Sequence, residues 1–217
     1  MRIPESPPAS MSSAGVERYG ITSQAFHWIT VGLVIALLAL GWGTDVEADQ
    51  PGSSAYMWHS SLGVIVFVLA LARVLWRVFT AAPALPAGMR RGERLFARTV
   101  HVALYAALFA LPISGGLAAS AEGGSVTFFG IATLPAWEPL AGVAPPAVRP
   151  QSSAPERSEE AQETGAEQRG EIWEEAHEVL AYALAALAIL HTLAALKHHF
   201  IDRDNVLRSM LPLRRRE

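Results

Sequence analysis

Seven histidines lie in or beside long apolar stretches of this 217-residue chain, and two of them fall at a spacing that could hold metal. His177 and His191 are fourteen residues apart within one apolar run. In a helix that is close to four whole turns, so both rings share one face, about 21 Å apart along the axis. One helix therefore offers ligands at two depths. An ionisable group inside a hydrocarbon layer costs on the order of several kcal/mol unless it faces a bundle interior and finds a partner, so such histidines are functional candidates by default. His27, His59 and His101 open three further apolar runs, and His198 and His199 close the last one.

The elements that position these side chains are legible from composition. Hydrophobic residues make up 51% of the chain and charged residues only 17%, and the apolar ones are gathered into runs, which is membrane composition. Four stretches reach the roughly 20 residues needed to span a bilayer: Gln24–Trp42, Trp58–Phe79, Thr99–Ser120 and Trp173–Phe200. Backbone polarity then demands helices. Trp28, Trp42, Trp58, Trp76 and Trp173 stand at the ends of the runs, where an amphipathic ring prefers the headgroup level. The fold expected is all-α: an integral membrane four-helix bundle, up and down.

Basic residues set the orientation, because Lys and Arg resist translocation. They gather in the N-terminal flank, in the second connection (Arg73 to Arg98) and in the C-terminal flank (Lys197 to Arg216), while the first connection has none. Both termini are expected in the cytoplasm, with the long third connection periplasmic. Residues 1–20 then form a cytoplasmic tail, 21–200 the bundle and 201–217 a second tail. The first twenty residues lack the short apolar core of a signal peptide. Segment 142–170, rich in Pro, Ala, Ser, Glu and Gln, reads as unable to bury enough apolar surface to fold, hence as a mobile spacer. A net charge of -3 with clustered arginines gives no reason to expect nucleic acid.

Depth sorts the histidines. The second helix starts at the outer surface, so His59 matches His177; the first starts inside, so His27 matches His191. Two imidazoles approaching from opposite sides suit a porphyrin iron, which takes one axial ligand per face and is then closed to further ligands. Zinc ordinarily takes three or four protein ligands, and a histidine pair at each depth, without a cysteine or carboxylate partner at the same level, falls short of that. The chain has no cysteine, which also excludes iron–sulfur ligation, disulfides and covalent haem attachment. Two non-covalent haems b are therefore expected, with His27, His59, His177 and His191 on iron. His101, at the depth of His27, could replace it, contact a propionate or donate to a quinone carbonyl. Arg18, Arg73, Arg77 and Arg98 lie near the inner haem's expected depth as propionate partners, although the positive-inside rule alone would also place them there. Lys197 and His198, at the inner interface, are candidates for contact with quinone or for proton delivery, beside the plainer reading of a hydrated helix end.

These residues carry a resemblance. Ser23-Gln24-Ala25-Phe26-His27-Trp28, Met57-Trp58-His59-Ser60, His101-x-x-Leu104-Tyr105, Leu111-Pro112-Ile113-Ser114-Gly115, His177-Glu178-x-Leu180, His191 with His198-His199-Phe200, and Asp204-Asn205-x-Leu207-x-x-Met210-Leu211-Pro212 together resemble the bacterial cytochrome b561 family, related to the cytochrome b subunits of hydrogenases and formate dehydrogenases. The resemblance implies a di-haem inner-membrane cytochrome, with His59 and His177 at a periplasmic haem and His27 and His191 at a cytoplasmic one. It also implies exchange of electrons with membrane quinone, in some members from superoxide. Segment 142–170 departs from the family's pattern and bears on the identity of a periplasmic electron donor. Two other functions compete: an electron-relay subunit of a separate dehydrogenase or hydrogenase, and a metal transporter using its histidines as a relay. A visible spectrum separates the transporter from the cytochromes.

Overall fold

The computed structural model of the protein describes residues 18–43, 53–80, 88–121, 124–137 and 157–212. Most of the N-terminal tail, the stretch 138–156 and the last five residues, with Arg214, Arg215 and Arg216, lie outside the described residues. Four helices carry the fold: α1 (Ile21–Gly43), α2 (Ser54–Phe79), α3 (Arg91–Ala121) and α4 (Arg157–Lys197). Each contains a segment long and apolar enough to cross a membrane. Large apolar side chains such as Ile35, Val68, Leu75, Ile189 and Leu193 remain exposed, as lipid-facing positions must.

Neighbours in sequence are neighbours in space: α1 packs on α2, α2 on α3 and, most extensively, α3 on α4. Their ends show the alternation. The Trp76 indole N–H, at the end of α2, donates to Ser23 Oγ at the start of α1 (3.2 Å). Lys197, ending α4, reaches Glu93, starting α3 (3.3 Å). Among the described residues the backbone of α4 has no comparably extensive approach to α1 or α2. A gap on that side is spanned by side chains.

Helix boundaries depart from the apolar runs in two places, for one reason. Helix α3 begins at Arg91 rather than Thr99, and α4 at Arg157 rather than Trp173, so 157–170, read from composition as a mobile spacer, is helical. Glu, Gln, Ala and Arg are strong helix formers, and a helix nucleated in lipid propagates outward at little cost. The start of α3 is capped by Glu93 Oε2, which accepts the Arg90 N–H (3.1 Å).

Two small features close the bundle. At one end a two-stranded antiparallel hairpin, β1 (Thr127–Phe128) and β2 (Ala132–Thr133), turns through Gly130 with φ 68°. It is tied to α2 by fully buried Ser61, whose Oγ donates to Met57 O (2.6 Å) and accepts the Phe129 N–H (2.8 Å). At the other end α4 runs into a π-helical turn (His198–Asp202), then Arg203 in the left-handed region (φ 53°), then the short helix α5 (Val206–Met210). This segment docks on the start of α1: the Trp28 indole N–H donates to Met210 O (2.9 Å), and buried Gln24 Nε2 donates to Ser209 O and Tyr19 O (each 3.1 Å).

Candidate metal centres

Two pairs of imidazoles bridge the gap between α4 and its opposite neighbours. His59 of α2 faces His177 of α4 with ring centroids 6.1 Å apart; His27 of α1 faces His191 of α4 at 6.3 Å. The interplanar angles, 66° and 75°, are similar too. A metal bonded to one nitrogen of each ring sits about 2 Å from both, and each ring centre lies roughly 1 Å further back, so coordinated rings stand about 6 Å apart. Both pairs have that spacing.

The surroundings of His177 fix its tautomer. Its Nδ1 lies 3.1 Å from Leu111 O and 3.0 Å from Ser114 Oγ. A carbonyl can only accept, and the Ser114 hydroxyl already donates to Leu111 O (2.9 Å), so Nδ1 carries the proton. Nε2 is left with its lone pair, the state a metal ligand needs. Pro112 lies in the same stretch of α3; its missing N–H leaves Leu108 O, not Leu111 O, without a helical donor, and Leu111 O takes Ser114 Oγ and His177 Nδ1 with its own lone pairs. Gly115, in the same turn, lets the ring approach: a Cβ there would stand 3.2 Å from His177 Cε1.

The other pair is less symmetric. Arg73 Nη2 donates to His27 Nδ1 at 3.3 Å, which places the proton of a neutral His27 on Nε2; a metal at Nε2 requires the other tautomer, with Arg73 withdrawn from Nδ1. His101 has the ligating tautomer, its Nδ1–H donated to Ala97 O (2.6 Å), but its ring centroid is 5.0 Å from that of His191, too close for opposite faces of one metal. Spacing favours His27 and tautomer favours His101. Backbone positions fix spacing, whereas a guanidinium on a flexible stem moves, so His27 is the better partner.

The arginines separate clearly. Arg73 enters the site and lies over the Tyr105 ring (5.4 Å). Arg77 and Arg98 are exposed, and Arg18 Nη2 donates to Arg208 O (3.3 Å) in the C-terminal segment. Lys197 is engaged by Asp202 (2.7 Å) and Glu93 (3.3 Å). His198 Nδ1–H donates to Asp204 Oδ2 (2.6 Å), whose other oxygen accepts the Val206 N–H (3.0 Å). Sequence reasoning had no place for Asp204, Ser114 or Leu111 O. Asp204 and Ser114 stood in recurring motifs; a backbone carbonyl leaves no such sign.

The sequence matches prokaryotic cytochrome b561 across residues 18–213. The chain belongs to this family. It is 35% identical over 197 residues to cytochrome b561 homolog 2 of Escherichia coli K12, covering 90% of this chain and 92% of that one. Cytochrome b561 homolog 1 of the same organism is 27% identical, covering 92% of this chain and all of the relative. A Yersinia pestis protein named probable superoxide oxidase CybB is 26% identical, covering 92% of this chain and 98% of that one. As a b561 cytochrome the protein is a transmembrane haem protein of electron transport. Its donor set fits b-type haem: neutral imidazoles in facing pairs, no thiolate for covalent attachment, and a gap beside α4 rather than packed backbone.

Proposed function

We propose that the chain binds two b haems, one between His59 and His177 and one between His27 and His191, and that it passes single electrons between a donor and the membrane quinone pool. The carrying observation is the equal spacing of two cross-helix imidazole pairs, 6.1 and 6.3 Å. A b haem held by two imidazoles supplies one-electron chemistry at an iron with no open position, so neither donor nor quinone binds the metal.

The chain's own residues orient and insulate. The Leu111–Ser114 turn holds His177 with Nε2 bare. Arg73 supplies a cation beside His27 and is the propionate partner we select from the four arginines. Lys197 is occupied by two carboxylates, so the inner-end group suited to proton exchange with quinone is His198, whose Nε2 is left to take or give a proton while Asp204 holds Nδ1–H. Positive residues at the end bearing both termini favour an inner-membrane protein with that end in the cytoplasm.

Superoxide as donor is a second reading, favoured by the name of the Yersinia relative. Exposed Glu174, Glu175 and Glu178 beside His177 would repel an anion, so a neutral or cationic donor suits this end better. A relay subunit serving a separate dehydrogenase keeps the same haems, and a large partner that co-purifies would favour it. His198, Asp202 and Asp204 bring ligating atoms within 4.8 Å of one another, yet their hydrogen bonds and the Lys197 ion pair account for them without a transported cation. The test is haem stoichiometry with a reduced-minus-oxidised spectrum of the purified protein. Two low-spin b haems per chain are expected; one or none overturns the proposal.

A further inference from the structure

The two histidine pairs sit in unlike electrostatic surroundings. At the His27–His191 pair, Arg73 lies 3.3 Å from His27 Nδ1 and over the Tyr105 ring; the withdrawal from Nδ1 that a metal on His27 Nε2 requires still leaves its charge beside this pair. The acids of that end are engaged elsewhere: Glu93 and Asp202 by Lys197, and Asp204 by His198. Among the described residues no carboxylate pairs with Arg73; a propionate would offset part of its charge, but both haems would carry propionates and only this pair has an arginine beside it. At the His59–His177 pair the direct contacts are of opposite character. Leu111 O and Ser114 Oγ both draw on the His177 Nδ1–H, which gives the ring partial imidazolate character and makes it a more basic ligand. Glu174 and Glu178 stand within one turn of His177 on α4, whereas the nearest base on that helix, Arg169, is eight residues away, roughly 12 Å along the axis. These glutamates are exposed and so screened, which makes them secondary to the contacts with Leu111 and Ser114.

Reduction removes one positive charge from a haem iron. A nearby cation therefore favours the reduced state, while a basic ligand and nearby anions favour the oxidised one; net charge and hydrogen bonding are the protein's main levers on such potentials. Resting on the two-haem reading, we infer that Arg73 on one side and the Leu111–Ser114 turn on the other set the two centres apart, with the higher midpoint potential at His27–His191. One electron is then given up at the His59–His177 site and one is taken up at the His27–His191 site, with no bond made or broken. Electrons rest at the end where His198 and Asp204 lie.

The experiment is an anaerobic redox titration of the purified holoprotein, following the reduced α-band. Two components are expected. His59→Ala removes the lower one, Arg73→Gln lowers only the higher one, Arg73→Lys keeps most of the native value because charge rather than shape is responsible, and Ser114→Ala raises only the lower one. The inference is overturned if His59→Ala removes the higher component, if Arg73→Gln leaves both components in place or moves the lower, or if Ser114→Ala moves the higher. The His59→Ala result decides the order even if Arg73→Gln does not fold. Two haems in reversed order overturn this inference alone, whereas one haem per chain overturns the two-haem reading and this inference with it.

Discussion

A methyl group placed on Gly115 would stand 3.2 Å from Cε1 and 3.3 Å from Nδ1 of His177, tighter than ordinary packing, whereas one on Gly41 would stand an unstrained 3.5 Å from His59 Cε1. Both glycines are helical, and Gly→Ala in a helix interior is otherwise favourable by roughly 0.5–1 kcal/mol. Gly41→Ala should thus be neutral or mildly stabilising. Gly115→Ala should lose about 1–3 kcal/mol to overpacking and tilt His177 off its two acceptors. Thermal unfolding and haem content of the two variants check this; equal behaviour would show that His177 has room to move.

His27 rather than His101 is the expected partner of His191. His27→Ala and His191→Ala should each remove one and the same haem, His59→Ala and His177→Ala the other, and His101→Ala neither. Haem-to-protein ratios with spectra of the five variants decide it. A haem lost in His101→Ala and retained in His27→Ala would transfer the assignment, and would mean that α3 shifts enough to open the 5.0 Å spacing seen between His101 and His191.

What sequence made legible was geometry governed by periodicity and depth. A fourteen-residue separation on α4 and the alternating entry of α1 and α2 suffice to bring His59 near His177 and His27 near His191, because helices in lipid have little freedom to do otherwise. The starts of α3 and α4 were not legible from hydropathy, which marks where lipid begins rather than where hydrogen bonding does. Nor could sequence choose Arg73 from Arg18, Arg77 and Arg98. All four share a depth, and only helix packing shows which one turns inward.

Arg203 occupies the left-handed region at φ 53°, ψ 36°, a conformation that costs a residue with a Cβ roughly 1–2 kcal/mol. It is held there because its N–H, like that of Asp204, donates to His198 O and closes the π-helical turn. Arg203→Gly should therefore be neutral to stabilising by about 1 kcal/mol, and Arg203→Val, β-branched, clearly destabilising. Midpoints of thermal unfolding check the order; a stable Arg203→Val would mean that this turn is not fixed by its backbone.

The C-terminal segment is held to α1 by few bonds, and their loss should be measurable. Trp28 gives one donor to Met210 O, and buried Gln24 gives the donor to Ser209 O. Trp28→Phe keeps most of the ring's packing and removes one hydrogen bond, a change of about 1 kcal/mol. Gln24→Ala removes the buried donor to both Ser209 O and Tyr19 O, Ser209 O keeping only the longer bond from the Tyr19 N–H (3.3 Å), which costs on the order of 1–3 kcal/mol. Local opening of a segment tracks its own stability rather than the fold's, so limited proteolysis within 203–212 should accelerate by roughly fivefold or more in Trp28→Phe, and further in Gln24→Ala. Haem content should stay intact in Trp28→Phe, because a phenyl ring can keep the edge contact that Trp28 makes with His27 (5.3 Å) and neither imidazole pair includes a residue of the C-terminal segment. Unchanged cleavage in both variants would mean that α5 is kept in place by its covalent tie through the His198–Asp204 turn and not by its seat on α1.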